Sequence, residues 1–260
     1  MTTTTPTLLE ICIDSYDSAV AAIRGGANRL ELCAALSEGG LTPTVGLLQE
    51  VRKLIDDVRP VHLYAMIRCR RGSDFCFSDP ELAIMVADLR LLAEHGADGF
   101  VFGALTEQAE IHREHCRLIA EEALRLGKPV TFHRAFDCTA VDRMGDNLRL
   151  VGSLGFTTIL TSGFESTAVR GLENIQRLAE LAKDLATPVT IMPGSGVSPA
   201  NARDILQQTG CRAIHASARS ASKKGGAGGL SMGGSAADGE GLLVCDEVIV
   251  REIRKQINNL

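Results

Sequence analysis

A unit that recurs along the chain is the strongest constraint on its fold. In each copy a helix-like segment stops at a glycine, and a short run of strand-forming residues follows. Gly25 and Gly26 precede one such run, and Gly96, Gly155 and Gly210 precede others. Glycine readily takes the left-handed conformation in which many helices end. The repeat therefore predicts alternating helices and strands, the pattern of proteins built around a parallel sheet.

The spacing of these units predicts eight strands and eight helices. The strands are expected at residues 8–14, 29–33, 61–68, 99–104, 130–135, 158–161, 189–192 and 213–217. The helices are expected at residues 15–24, 43–55, 80–94, 111–125, 141–153, 171–185, 199–208 and 246–258. Such alternation within 260 residues is typical of a TIM-type (β/α)8 barrel, a single domain of the α/β class. An open, doubly wound sheet is the alternative.

The first two predicted strands distinguish between these two folds. Glu10, Cys12 and Asp14 alternate with aliphatic residues, and so do Glu31 and Cys33. Because successive side chains of a strand point to opposite faces, each strand has one polar and one apolar face. A doubly wound sheet requires apolar side chains on both faces. In a barrel the polar rows face the interior, where carboxylates and thiols are costly unless they bind or react.

The same pattern predicts the domain boundaries. Residues 1–7 are expected to form a short disordered tail, and residues 8–260 are expected to form the barrel. Residues 220–239 are rich in Gly, Ser and Ala, which favours a long flexible loop at the barrel mouth or, alternatively, a disordered linker. One domain with one long irregular segment is therefore expected.

Composition and charge argue against several classes of function. The net charge of −5 gives no indication of a nucleic-acid or membrane surface, and no apolar run approaches the ~18 residues of a membrane span. The amino terminus lacks the basic and apolar regions of a signal peptide. The eight cysteines are scattered without a C-x-x-C motif, which favours reduced thiols. A cytoplasmic protein is therefore expected.

Polar residues on the strands are the candidates for a site, because TIM barrels bind ligands at the carboxyl ends of their strands. Glu10, Glu31, Arg68, His133 and His215 are expected to face the interior. If the protein is an enzyme, these are the candidate catalytic residues, with the carboxylates and imidazoles as acid/base groups. Structural ion pairs are the alternative. No P-loop, nucleophile elbow or similar motif names a reaction, so the sequence leaves open whether the protein is an enzyme.

The segment after the seventh strand is a candidate anion site. Gly194, Ser195 and Gly196 allow close approach to the backbone, and Ser198 is suited to cap the helix that follows. A helix start presents free N–H groups and a positive dipole end to an anion. Arg68 is expected to add a cationic contact from the third strand. An ordinary tight turn, which also favours glycine, is the alternative.

Cys12 and Cys33 are the candidate metal ligands. They come from adjacent strands and share one side, and neighbouring strands lie ~4.8 Å apart. Thiolates favour Cu(I) or zinc, and coordination by two thiolates suits Cu(I). Inert packing of two buried thiols is the alternative.

Several long sequence words resemble those of the CutC copper homeostasis family. They are EICIDS at residues 10–15, GGANRLELC at 25–33, LSEGGLTP at 36–43, MIR at 66–68, GADGFVFGALT at 96–106, VTFHRAFD at 130–137, LTSG at 160–163 and MPGSG at 192–196. The resemblance extends from about residue 8 to the loop near Gly234. It implies a TIM-type barrel that is cytoplasmic and homo-oligomeric, a dimer or tetramer. It also implies Cu(I) binding by the cysteines that align with Cys12 and Cys33, without an organic cofactor.

Two hypotheses about function follow. The first is a cytoplasmic copper homeostasis protein that binds Cu(I) through Cys12 and Cys33. The second is an uncharacterised TIM-barrel enzyme that acts on a small phosphorylated or carboxylated metabolite. The expected partner is accordingly a copper ion or a small anionic ligand.

Overall fold

Eight parallel strands form the inner wall of the structure. The computed structural model describes residues 7–58, 60–221 and 243–258. The strands are β1 (Leu8–Ile13), β2 (Arg29–Leu32), β3 (His62–Met66), β4 (Gly99–Phe102), β5 (Val130–Phe132), β6 (Thr158–Thr161), β7 (Thr190–Pro193) and β8 (Ala213–Ala216). Hydrogen-bonded neighbours follow the order β7-β6-β5-β4-β3-β2-β1-β8, and β7 also lies beside β8, so the ring is nearly closed. The predicted TIM-type barrel is confirmed.

Helices surround this ring. They are α1 (Tyr16–Gly25), α2 (Val45–Val58), α3 (Asp79–Glu94), α4 (Arg113–Arg125), α5 (Met144–Ser153), α6 (Leu172–Ala182), α7 (Ala202–Thr209) and α8 (Glu247–Ile257). Three short 3-10 helices lie in loops that follow strands, at Leu36–Glu38, Arg134–Cys138 and Val141–Arg143. Two further short strands, β9 (Arg219–Ala221) and β10 (Leu243–Cys245), pair antiparallel outside the barrel sheet.

Local hydrogen bonds explain why some helices begin and end where they do. The hydroxyl of Ser15 accepts a hydrogen bond from the backbone N–H of Ser18 at the start of α1, and Gly26 ends that helix at a φ of 105°. Ser78 and Glu81 form a reciprocal capping box at the start of α3. These are signals that the sequence carries within a few residues of each boundary.

Helix α7 begins three residues later than the sequence predicts. The Oδ1 atom of Asn201 accepts a hydrogen bond from the N–H of Ser198 at 2.8 Å, and its Nδ2 atom donates to the carbonyl of Gly196 at 2.9 Å. These bonds hold residues 198–201 in a turn, because an asparagine side chain competes with the backbone for its donors and acceptors. The prediction that Ser198 caps this helix is therefore wrong, since Asn201 is the residue that precedes α7.

The main hydrophobic core lies between the strands and the helices. Leu9, Ile11 and Ile13 of β1 are fully buried in it, on the face opposite to Glu10 and Cys12. Two small apolar clusters lie in the barrel interior, Cys33 with Tyr64, Met66 and Val101, and Leu160 with Met192 and Ala213. Strand alternation has thus placed the aliphatic rows outside and the polar rows inside, as the sequence predicts.

Parts of two segments that the sequence predicts to be irregular lie outside the described residues. Of the predicted tail, residues 1–6 are not described, while Thr7 is buried and its carbonyl accepts a hydrogen bond from Arg254. Of the predicted loop, Ser220 and Ala221 belong to β9, and residues 222–239 are not described. Within the described ranges no helix has the length and apolar character needed to cross a bilayer.

Candidate functional site

The register of three adjacent strands brings distant polar residues together inside the barrel. Cys12 on β1 lies opposite Glu31 on β2. Glu10, two residues earlier on β1, lies opposite His215 on β8. All four residues are at least nine-tenths buried. Three of the five predicted catalytic residues therefore meet at one place, together with one of the two predicted metal ligands.

An arginine that the sequence analysis did not single out completes this group. The Nε atom of Arg29 donates to Oε2 of Glu10 at 2.5 Å, and its guanidinium lies 4.4 Å from the ring centre of Tyr64. The Nδ1 atom of His215 donates to the other carboxylate oxygen of Glu10, Oε1, at 2.7 Å. Arg29 and Glu31 are two residues apart on β2 and therefore share one face of the strand. The rule that identified Glu31 as an interior residue also identifies Arg29.

The charges of this network determine its protonation. Burial by itself raises the pKa of Glu10, but Arg29 and His215 outweigh it and lower that pKa to about 2. Burial also opposes a charged His215, yet the charges of Cys12 and Glu31 and the bond to Glu10 raise the pKa of this imidazole well above its ordinary value. Glu10 is therefore an ionised acceptor that orients a proton-bearing His215.

Glu31 differs from Glu10 although the two carboxylates are neighbours. Burial and the charge of Glu10 raise the pKa of Glu31 to about 7, and His215 and Arg29 oppose this shift only in part. One carboxylate oxygen of Glu31, Oε1, is buried and has no hydrogen-bond partner within the described ranges. The interior therefore contains one carboxylate that is firmly ionised and a second that exchanges a proton near neutral pH.

A set of metal-binding atoms occurs at this point. One ligand atom each of Cys12, Glu31 and His215 lie within 4.8 Å of one another. The Sγ atom of Cys33 lies 3.8 Å from Oε2 of Glu31 and is fully buried. The strand register places Cys33 two residues beyond Glu31, so it is diagonal to Cys12 rather than opposite. The predicted pair of thiols thus faces the same interior, and Glu31 and His215 lie beside it.

The other two predicted catalytic residues, Arg68 and His133, form a second group across β3 to β5. The Nη1 atom of Arg68 donates to the carbonyls of Glu38 and Gly40, and Nη2 donates to the carbonyl of Gly72. Among the described residues no carboxylate pairs with Arg68, and its Nε atom is buried without a partner. Phe75 contacts both groups: its ring centre lies 5.2 Å from the Arg68 guanidinium and 4.9 Å from the His133 ring centre.

His133 is a neutral imidazole with one unused donor. Its Nδ1 atom accepts a hydrogen bond from the N–H of Ala135 at 3.1 Å, so the ring hydrogen is on Nε2. That Nε2 atom is buried, and no residue that the structure describes accepts from it. Burial, with the charge of Arg68, lowers the pKa of His133 to about 3. The imidazole contacts Gly103, where an added Cβ would lie 2.7 Å from the ring.

The buried His133 predicts a specific pH dependence of stability. In the unfolded chain this histidine is protonated below its ordinary pKa of 6.5, whereas in the folded chain it stays neutral down to about pH 3. The free energy of unfolding therefore decreases as the pH falls from 6.5 to 3. His133→Asn keeps an acceptor for Ala135 and removes the titration. We expect urea unfolding between pH 6 and pH 5 to show that the wild type loses about 1.4 kcal/mol more than this variant. His62→Asn, at an exposed histidine, should retain the wild-type slope, and equal slopes for His133→Asn and wild type would contradict the prediction.

The predicted anion-binding turn has its own hydrogen bonds. Gly194 donates its N–H to the carbonyl of Thr161, and the hydroxyl of Ser195 donates to the carbonyl of Ser166. The contacts of Arg68 lie at the carboxyl end of β3, which is opposite β7 in a ring of eight strands. An anion held jointly by Arg68 and by Gly194, Ser195 and Gly196 remains a prediction, as do the catalytic roles of the five interior residues.

The loops at the carboxyl ends of the strands carry backbone strain. In the described part of the chain six residues other than glycine have positive φ, and each follows a barrel strand: Ala35, Phe75, Ala109, Phe164, Ser195 and Ala218. A left-handed conformation costs such residues free energy and persists where the surroundings enforce it. Strain of this kind concentrates at functional sites, and this is the face at which barrels bind ligands.

Curated proteins of similar sequence share one family name. A copper homeostasis protein cutC homolog from Homo sapiens is 46% identical over 218 residues, which cover 84% of this chain and 76% of that protein. The Drosophila melanogaster protein of the same name is 44% identical over 212 residues, 81% of this chain and 76% of its own length. A family protein CutC from Vibrio parahaemolyticus is 40% identical over 214 residues, 82% of each chain.

Solved structures extend the comparison. The crystal structure of a CutC protein from Streptococcus agalactiae matches with a TM-score of 0.75 and 30% identity, covering 81% of this chain and 98% of that one. Thiamine phosphate pyrophosphorylase from Pyrococcus furiosus matches with a TM-score of 0.58 but only 15% identity, so it shares the barrel fold alone. The model of the CutC family matches residues 7–220. Since this match covers most of the sequence, the chain belongs to the CutC family.

Proposed function

We propose that this protein serves copper homeostasis by binding Cu(I) inside the barrel, with Cys12 and Cys33 as ligands. The observation that carries the proposal is the buried cluster of ligand atoms from Cys12, Glu31 and His215, with Cys33 beside Glu31. Relatives more than 40% identical bear the name copper homeostasis protein cutC homolog. That name supports copper as the cargo, and the proposal assigns the ligands in this chain.

The chemistry of the donor atoms fits a soft cation. Thiolates and imidazoles suit Cu(I), whereas a carboxylate is a harder ligand. Burial raises the pKa of Cys33 well above its ordinary value, with the charges of Glu31 and Cys12 adding to the effect, so Cys33 keeps its proton unless a cation replaces it. A carboxylate oxygen of Glu31 lies 3.8 Å from this thiol and is suited to accept the released proton.

The expectation of a reducing, cytoplasmic location has one structural support. All eight cysteines lie within the described residues, and all are free thiols. Cytosolic proteins keep their thiols reduced, and only a reduced thiol is available to Cu(I). Assembly into a dimer or tetramer rests on the family resemblance.

Copper titration of cysteine variants tests the proposal. Under reducing conditions and in competition with a colorimetric Cu(I) chelator, the wild type is expected to bind about one Cu(I) per chain. Cys12→Ser and Cys33→Ser are each expected to weaken binding by at least about 100-fold, because a hydroxyl is a poor ligand for a soft cation. Cys138→Ser, at an exposed thiol, is the matched control and should bind as the wild type does.

Two results would contradict the proposal. If the Cys12→Ser, Cys33→Ser double variant stays folded by circular dichroism and binds copper unchanged, the site lies elsewhere. If X-ray absorption of the copper-loaded wild type shows one sulfur and one nitrogen ligand, His215 replaces Cys33 in the ligand pair. Two sulfur ligands in the wild type, both lost in the double variant, would support the proposed ligand pair of Cys12 and Cys33.

A further inference from the structure

Three buried hydrogen-bonding groups, on β5 and at the end of β3, have no partner among the described residues. They are Nε of Arg68, Nε2 of His133 and the hydroxyl of Thr131. Each of the three residues is at least nine-tenths buried. A buried donor without an acceptor costs on the order of 1–3 kcal/mol, and native proteins contain few of them. Three such groups on one side of the barrel therefore need a common explanation.

The fold places these groups on the inward side of the barrel wall, at β5 and at the end of β3. Thr131 and His133 are two residues apart at β5, so they share its inward face. The parallel register aligns Arg68, Gly103 and His133 across the ends of three adjacent strands. Gly103 contributes no side chain, which lets the His133 ring pack directly against its backbone.

Phe75, a residue with strained backbone, contacts two of these three residues. Phe75 has a φ of 52°, an outlier for a bulky side chain. Its carbonyl accepts a hydrogen bond from the N–H of Leu105, which anchors the loop, and its ring contacts both Arg68 and His133. The loop thus holds the Phe75 ring against Arg68 and His133, at the cost of backbone strain.

The group carries a single positive charge. Arg68 is cationic and has no carboxylate partner in the described part of the chain, and His133 is neutral. The neighbouring arginines add no net positive charge, because Arg70 pairs with two carboxylates, Asp74 and Glu81, and Arg71 pairs with Glu38. Since a buried cation is costly unless it is paired, this site favours an anion with one negative charge.

We propose that Arg68, His133 and Thr131 bind the carboxylate group of a small organic acid inside the barrel mouth. One carboxylate oxygen accepts from Nε of Arg68, the other accepts from Nε2 of His133, and the Thr131 hydroxyl adds a third donor. A phosphate group carries about −1.5 to −2 charges at neutral pH, so part of its charge would stay uncompensated.

This inference is independent of copper and narrows the second hypothesis drawn from the sequence to carboxylates. The carboxylate site adjoins the proposed copper ligands at Gly40, whose carbonyl accepts from Arg68 and whose added Cβ would lie 3.1 Å from Sγ of Cys33. The three donors support binding of a carboxylate, and the inference assigns them no catalytic step.

Thermal unfolding with acetate, pyruvate, acetamide and inorganic phosphate at constant ionic strength tests the inference. Acetamide has the shape of acetate without its charge. At ten times the dissociation constant, acetate or pyruvate is expected to raise Tm by about 3–6 °C, and acetamide is expected to have no effect. Equal shifts with acetate and acetamide, or stabilisation by phosphate alone, would overturn the inference.

Conservative variants locate the site. Thr131→Val removes only the hydroxyl, and His133→Asn keeps the acceptor for Ala135 but lacks the Nε2 donor. Each should weaken pyruvate binding at least tenfold, measured by equilibrium dialysis with labelled pyruvate. Thr209→Val, at a buried threonine whose hydroxyl donates to the carbonyl of Ile205, is the control and should bind normally.

The copper variants separate this inference from the proposed function. The Cys12→Ser, Cys33→Ser double variant should bind pyruvate as the wild type does, whether or not it binds copper. Undiminished pyruvate binding by both Thr131→Val and His133→Asn would mean that the three donors do not form the site, and would overturn the inference.

Discussion

Glu10→Gln is expected to destabilise the barrel by about 3–5 kcal/mol. Glu10 is fully buried and accepts hydrogen bonds from Arg29 and His215. Among the described residues Arg29 forms its one ion pair with Glu10, so the substitution leaves a cation buried without a counter-charge. Glutamine has nearly the size of glutamate, so the loss reports the charge and not a cavity.

The pKa of Glu10 gives an independent estimate of this loss. Its value of about 2, against an ordinary 4.5, corresponds to roughly 3 kcal/mol at neutral pH. Because the folded-state pKa is lowered, the stabilisation is complete above pH 4.5 and is lost as the pH falls toward 2. The difference in stability between the wild type and Glu10→Gln should therefore narrow across that range.

Urea unfolding at pH 7 provides the measurement. Glu50→Gln is the matched control, because Glu50 pairs with Lys53 on the solvent-exposed side of α2, and its stability should equal that of the wild type. A loss below about 0.5 kcal/mol for Glu10→Gln would show that the buried network contributes no more than a surface pair does. Arg29 would then have to find another partner in the variant.

Gly163→Ala is expected to cost about 4 kcal/mol of the free energy of unfolding. Gly163 follows β6 at a φ of 72°, and an added Cβ would lie 2.3 Å from the carbonyl oxygen of Gly171. Left-handed backbone costs alanine about 1 kcal/mol. The contact adds about 3 kcal/mol, because it meets backbone that no side-chain rotation relieves. The close approach of these two glycines sets the path of the chain from β6 into α6.

A second glycine separates the two contributions. Gly210 has nearly the same conformation, with a φ of 70°, but an added Cβ there meets no atom within 4 Å. Gly210→Ala should therefore cost only the conformational part, about 1 kcal/mol. Urea unfolding of both variants gives the comparison. Equal losses would show that the chain relaxes around Gly163 and that the close approach to Gly171 is dispensable.

Local patterns in the sequence predict much of this structure correctly. The alternation of polar and aliphatic residues in β1 and β2 predicts that Glu10, Cys12 and Glu31 face the interior, and they do. The prediction succeeds because alternation depends only on neighbouring residues of one strand. The start of α7 was misplaced because the side chain of Asn201 competes with the backbone over residues 198–201.

The site depends on contacts that no local pattern contains. Which residue lies opposite Cys12 is a matter of strand register, and the register selects Glu31 rather than Cys33. A shift along the strand leaves the local pattern of one strand unchanged, so one sequence does not reveal the register. The division of five candidate catalytic residues into two groups likewise appears only once the strands stand in order around the ring.

The amino-acid sequence by itself determined the (β/α)8 architecture and the polar character of its interior, because helix ends and strand alternation are short-range properties of the backbone. The tertiary structure alone decided which interior side chains contact one another. Glu10 meets Arg29 from 19 residues away and His215 from 205 residues away. The pair with Arg29 depends on the register of β1 and β2, and the pair with His215 exists only because the first and last strands of the barrel lie side by side. That closure is a property of the whole chain.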